Sequence, residues 1–201
     1  MFYINAQYLD KNIERETMQD YHDFIDEILV DETTLQKRVV ELGEEVSSDY
    51  QGDDLHLICI LRGGVMFLTD LMRNITILNT VDFMAVSSYG TSRESTGQVR
   101  ITLDLKDEIQ GRNVLLVEDI IDSGYTIASV LDILRTRHPK SLRVCALLNK
   151  PERREVEVPI DYCGFVIPNK FVFGYGLDLD EYYRNLPFVA TVNLDKYKPK
   201  E

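Results

Sequence analysis

Short apolar runs bounded by turn residues recur along most of the chain, and their periods separate helices from strands. From Asp31, the stretch TTLQKRVVELGEEV places Leu35, Val39, Leu42 and Val46 at spacings of four, three and four. That is the period of an amphipathic helix behind an Asp or Thr cap. Six brief apolar runs then read as strands: Leu55 to Leu61, Val81 to Ser88, Val99 to Leu103, Val114 to Val117, Leu142 to Leu148 and Tyr162 to Ile167. Helical patterns over Val65 to Arg73 and Thr126 to Arg137 lie between several of them. This alternation predicts an α/β fold, a mostly parallel central sheet flanked by helices on both faces. No repeat or Gly/Ser linker divides the chain. The expectation is therefore one domain over 1–201, with the first 25 or so residues as an appended arm.

Ligands of such sheets bind beyond the carboxyl ends of the strands, and the polar chemistry gathers there. Arg62-Gly63-Gly64 follows the first run, Ser88-Tyr89-Gly90 the second, EDIIDSGYT the fourth and Asn149-Lys150 the fifth. Charge narrows the partners. With 22 Lys and Arg against 34 Asp and Glu, the net charge of -12 repels polyanions, so no nucleic-acid partner is expected. Cys59, Cys145 and Cys163 lie singly in apolar runs, without zinc spacing or the density of a disulfide scaffold. They read as reduced core residues of a cytoplasmic protein. The chain's start lacks the features of a signal peptide, and nowhere do about 18 apolar residues run together, so no membrane span is expected. His22, His56 and His138 share no spacing and read as ordinary surface or satisfied residues.

The strongest chemistry lies from Val114 to Thr126. A hydrophobic strand ends in Glu118 and Asp119, a third carboxylate follows at Asp122, and Ser123-Gly124-Tyr125-Thr126 opens a helix. Three acids at the end of a buried strand need hydroxyls, a cation or a proton to work on. Amides at a helix N-terminus, two hydroxyls and a glycine suit a phosphate monoester. The Gly-Lys-Ser/Thr of a Walker loop is absent. A sugar-phosphate or nucleotide site and a capped surface turn with solvated acids are the two readings of these residues taken alone.

VEDIIDSGYT resembles the phosphoribosyl pyrophosphate motif of type I phosphoribosyltransferases, and three further segments resemble the hypoxanthine-guanine branch. LRGG at 61–64 is similar to its pyrophosphate loop, SYG and STG within 88–97 to its lid, and KFVFGYGLDLDEYYR at 170–184 to its purine-binding hood. The resemblance implies the type I fold with a small hood built from the N-terminal segment and 150–201. It also implies transfer of a phosphoribosyl group to hypoxanthine or guanine, giving IMP or GMP and pyrophosphate. Glu118 and Asp119 would hold the ribose hydroxyls, and Asp122 would meet purine N7 as general base. Ser123, Gly124, Tyr125 and Thr126 would bind the 5-phosphate. Leu61, Arg62, Gly63, Gly64 and Arg184 would clamp the pyrophosphate, with a cis peptide between Leu61 and Arg62. Lys150, Phe171, Val172 and Asp178 would bind the base, the lysine donating to a 6-oxo group. Mg2+ would sit by Glu118, Asp119 and Asp178, while Asp180 and Glu181 remain solvated. Ser88 and Tyr89 would begin the lid. The family also implies a homodimer or homotetramer.

Two positions depart from the pattern: Tyr125 stands where many relatives carry Lys, Arg or another residue, and Arg62 replaces the commoner Lys. Two other functions share the donor motif. One is a regulatory protein of this fold that senses the donor, disfavoured by the acidic charge and the absence of a basic arm. The other is transfer to a different base, which would differ in the hood.

Overall fold

The computed structural model describes residues 19–88 and 99–199. In chain order its elements are β1 (Ile25–Val30), α1 (Glu32–Asp49), β2 (Leu55–Leu61), α2 (Val65–Asn74), β3 (Asn79–Ser88), β4 (Val99–Leu103), β5 (Asn113–Ile121), α3 (Tyr125–Arg135), β6 (Ser141–Asn149), β7 (Tyr162–Val166), β8 (Val172–Phe173) and β9 (Val189–Val192). Six strands form one sheet in the order β4-β3-β2-β5-β6-β7. Every pairing in it is parallel except β3 with β4.

Alternation along the buried strands divides the core in two. Leu57 and Cys59 of β2 and Leu115 and Val117 of β5 face α1 and α2, meeting Leu35, Val39, Leu42, Phe67 and Leu71. Ile58, Val114, Leu116 and Val144 face the other way, onto Ile127, Val130, Leu131 and Leu134 of α3. Asp31 caps α1, its carboxylate accepting the Thr34 N–H at 3.0 Å. The expected helices on both faces are present. β5 runs four residues further than the hydrophobic run from Val114 to Val117, so Glu118 and Asp119 belong to the strand and not to the loop after it. Parallel pairing continues through them, Glu118 opposite Ala146 and Ile120 opposite Leu148.

A second sheet, ordered β1-β9-β8 and antiparallel throughout, packs on Phe24, Phe173, Leu179, Tyr183 and Leu186. It unites residues 25–30 with the last quarter of the chain. Residues 25–30 are therefore strand, and an arm, as expected from the sequence, can include only what precedes them. Residues 1–18 lie outside the described part. Among the described residues, no helix is long and apolar enough to cross a membrane, and the three cysteines are free thiols.

Candidate active site

Three cavities adjoin at the carboxyl edge of the main sheet. One of about 450 Å3 is lined by Ile120, Asp122, Lys150, Phe171, Val172 and Asp178 among others. A second, of about 120 Å3, lies against Glu118, Asp122, Ser123, Gly124 and Thr126. The third, about 550 Å3, is bordered by Leu61, Arg62, Gly63, Glu118, Asp119, Asp178 and Arg184. Shared walls join them: Asp122 borders the first and second, Glu118 the second and third, Asp178 the first and third. Gly64 is instead buried as the N-cap of α2, and Tyr125 does not line the small cavity.

The acids of β5 are unusually enclosed. Glu118 is 9% exposed and Asp119 8%. Burial, reinforced by Asp119, raises Glu118 well above the usual carboxylate range. Burial likewise lifts Asp119 to about 6, against the lowering effect of the Ile120 N–H, 2.9 Å from Oδ1, and of Arg184. Oε2 of Glu118 is buried without a hydrogen-bond partner. A carboxylate oxygen placed so, on the wall of a polar cavity, needs a hydroxyl or a cation.

Asp122 stands apart from these two. Its Oδ2 lies 4.0 Å from Lys150 Nζ, and its Oδ1 lies 3.3 Å from Arg153 Nε. The second approach is an ion pair without hydrogen-bond alignment, for Oδ1 has no hydrogen-bond partner. Lys150 is 6% exposed, and desolvation lowers its pKa against the pull of Asp122. Phe171 is half exposed beside it while Val172 is buried, the placement of a ring free to receive a planar ligand.

Gly124 turns the chain from β5 into α3 at φ 92°, in the left-handed region. A Cβ there would stand 2.2 Å from the Val156 carbonyl oxygen. Gly63 is equally constrained, since its Cβ would fall 1.6 Å from Asp119 Oδ2. The Leu61–Arg62 peptide is cis. Arg184 contacts Asp178 at 2.8 Å and donates to the Gly176 carbonyl at 2.9 Å.

Sequence reasoning overlooked several residues here. Glu181 and Asp180 are exposed, as read from the sequence, yet Glu181 also pairs with Arg62 at 2.9 Å and with Arg184 at 3.4 Å, and Asp180 accepts the Tyr197 hydroxyl at 2.8 Å. Arg153 lines the base-side cavity with Lys150 and Asp122; the tandem Arg153-Arg154 just after Lys150, at the ligand edge, is its signal. His56 is not a surface or satisfied residue: it is fully buried, with Nδ1 2.8 Å from Thr80 Oγ1 and Nε2 unpartnered. Ser88 closes β3, its main chain paired with Val99, whereas Tyr89 and the rest of the expected lid to residue 98 lie outside the described residues.

Among the described residues, no three His, Cys, Asp or Glu side chains converge as a metal cage. Mg2+ does not need one, because substrate oxygens and waters complete its octahedron. The orphaned Glu118 oxygen fits such an ion, as does Asp119. Asp178 fits less freely, one oxygen facing Arg184 and the other accepting the Glu181 N–H at 3.0 Å.

The model of the phosphoribosyl transferase domain matches residues 27–180. A hypoxanthine-guanine phosphoribosyltransferase of Mycobacterium avium is 50% identical over 180 residues, covering 87% of this chain and 89% of its own. A hypoxanthine phosphoribosyltransferase of Escherichia coli is 46% identical over 170 residues, covering 84% and 96%. Among solved structures, the hypoxanthine phosphoribosyltransferase of Staphylococcus aureus superposes with a TM-score of 0.86 at 41% identity, covering 91% of this chain and all of its own.

Proposed function

The chain belongs to the phosphoribosyl transferase family, in its hypoxanthine-guanine branch, and from that premise we infer that it transfers the phosphoribosyl group of phosphoribosyl pyrophosphate to hypoxanthine or guanine with the help of Mg2+. The observation that carries the reading is the run of three cavities with shared acidic walls, sized in turn for a base, a phosphate and a pyrophosphate. The ribose then lies where they meet, its hydroxyls donating to Glu118 and Asp119. Its 5-phosphate takes the amides and hydroxyls of Ser123, Gly124 and Thr126, and Tyr125 adds only main chain to that loop. Pyrophosphate lies between Arg62, the Gly63 main chain and Arg184, with buried Gly64 behind them.

In this reading the bond between ribose C1 and pyrophosphate breaks as a purine nitrogen bonds to C1, giving IMP or GMP. Asp122 faces N7 across the shared wall and holds the proton that the base gives up. Arg62 and Arg184 neutralise the charge that grows on the leaving group, and Mg2+ would supply further positive charge there. Glu118, Asp119 and Asp178 are the side chains that would hold that ion or its waters. Buried Lys150 donates to the 6-oxo group, so adenine would leave an ammonium facing an amino group and be rejected. Phe171 stacks on the ring, and Val172 and Asp178 meet its edge. Ser88 and Tyr89 begin the lid in this reading. We place the enzyme in the cytoplasm as a homodimer or homotetramer acting on small molecules alone; exposed Met66 and Met72 of α2 supply apolar surface for self-association. Sedimentation at the mass of one chain would remove the oligomer.

The test is a panel of hypoxanthine, guanine, xanthine, adenine, uracil and orotate with donor and Mg2+. Oxopurine nucleotides and pyrophosphate should appear, with adenine inert. Asp122→Asn should lower kcat by roughly a hundredfold, the scale of one general base, and leave the donor KM little changed. An undiminished kcat would take Asp122 out of the proton transfer. Donor binding without turnover on any base would favour the sensor instead.

A further inference from the structure

At the exit of β5, one segment holds three consecutive main-chain carbonyls. The Ile121 oxygen accepts from Lys150 N–H at 3.0 Å and from Arg154 Nη2 at 3.3 Å. Asp122 O accepts from Arg154 Nε at 3.1 Å. Ser123 O accepts from the N–H groups of Glu155 and Val156 at 2.9 and 3.0 Å. The same Arg154 Nη2 also donates to Asn149 Oδ1 at 2.6 Å. One guanidinium therefore ties the ends of β5 and β6 together, beneath the loop that begins with Asp122.

A trans peptide is planar, with its N–H opposite its C=O. Holding the carbonyls of Asp122 and Ser123 therefore fixes the N–H vectors of Ser123 and Gly124, two residues on the wall of the small cavity. The Arg154 side chain does not itself border that cavity or the one at Lys150. It lines a separate recess of about 210 Å3 with Pro151, Glu157 and Val158. A planar fork of donors can span two carbonyls and an amide oxygen at once, which the single ammonium of lysine cannot. Gly124 admits this packing, for a Cβ there would also come within 3.1 Å of Arg154 Cδ.

We propose that Arg154 is a positioning residue for phosphoribosyl transfer, its guanidinium setting the Asp122–Ser123 peptide plane that aims the Ser123 amide at the bound donor, beside the Gly124 amide that the Glu155 and Val156 N–H groups set through Ser123 O. This role rests on the reaction inferred above. It separates the two substrates, because the base is bound by Lys150, Phe171 and Asp178, with Asp122 taking its proton, while the donor phosphate depends on the braced Ser123 amide.

Steady-state kinetics of Arg154→Ala and Arg154→Lys test it. The donor KM should rise about tenfold in both, the scale expected when a positioned group is displaced by a fraction of an ångström, while the hypoxanthine KM stays within about twofold. Guanidinium ion at millimolar concentration, entering the recess, should restore the donor KM of Arg154→Ala and leave the wild type unchanged. A purely structural arginine would reduce the fraction of active enzyme, lowering kcat with both KM values unmoved, and that result overturns the proposal. So does an equal rise in both KM values. If Arg154→Ala does not fold, the same split is read from Arg154→Lys. A wild type that transfers nothing to an oxopurine overturns the reaction, and this role with it.

Discussion

Asp119 shows how a functional residue costs the fold stability. In the unfolded chain it titrates near 3.8, and in the folded protein burial lifts it to about 6. The folded state thus holds a proton that the unfolded chain has already released. The stability this gives is fully present below pH 3.8 and is lost as pH rises through 6. Two pKa steps correspond to at most about 3 kcal/mol. Asp119→Asn keeps an oxygen for the Ile120 N–H and removes the titration. We expect the melting temperature of the ligand-free variant to exceed that of the wild type at pH 8 by more than at pH 4. A gap that is the same at both would show that the carboxylate is not held in its acid form by burial. The sequence marked this residue through the pile of acids after an apolar strand. It could not mark the burial, because a local pattern places Glu118 and Asp119 in a loop, while pairing with Ala146 and Leu148 draws the ladder through them.

At the scale of elements, the β5 to α3 connection was legible almost residue by residue, since a strand, a glycine and a helix start are all local signals. The hood was less so. β1 and β9 lie more than 150 residues apart in the chain, β8 has two residues, and IDEILV reads neither as clean alternation nor as an apolar run. Such strands exist because of their partners, not their own sequence. Gly124 tests the legible part. Its φ of 92° strains any side chain, and a Cβ would also strike the Val156 oxygen at 2.2 Å, whereas Gly52, at φ 88°, has nothing within 4 Å. Gly124→Ala should therefore cost about 2 kcal/mol or more, or roughly 4–8 °C in melting temperature for a chain of this size, with a raised donor KM. Gly52→Ala carries only the backbone part and should fall by less. Equal losses in thermal unfolding would mean that the braced turn yields to a methyl group.

For the whole molecule, catalysis needs the hood held against the sheet, because Asp178 walls both the base and the pyrophosphate cavities and belongs to the hood side. Three contacts join the two parts along the segment 175–181. Gly176 packs so close to Gly63 that a Cβ would lie 2.0 Å from its carbonyl oxygen. Glu181 reaches Arg62. Tyr175, 5% exposed, donates its hydroxyl to Asp70 Oδ2 at 2.7 Å, and Gln36 Nε2 meets the same oxygen at 3.0 Å. The Arg62 pair is largely exposed and contributes little, so the buried tyrosine bond is the stronger tether. Tyr175→Phe keeps the ring and removes that bond, a loss on the order of 2 kcal/mol for a hydroxyl on a carboxylate. Because one loop serves two cavities, the KM values for base and donor should rise together while kcat, set at Asp122, changes less. This joint rise is the opposite of the split expected at Arg154. Measuring both KM values in Tyr175→Phe decides it: a lowered melting temperature with unchanged KM values would mean that Gly176 on Gly63 alone seats the hood.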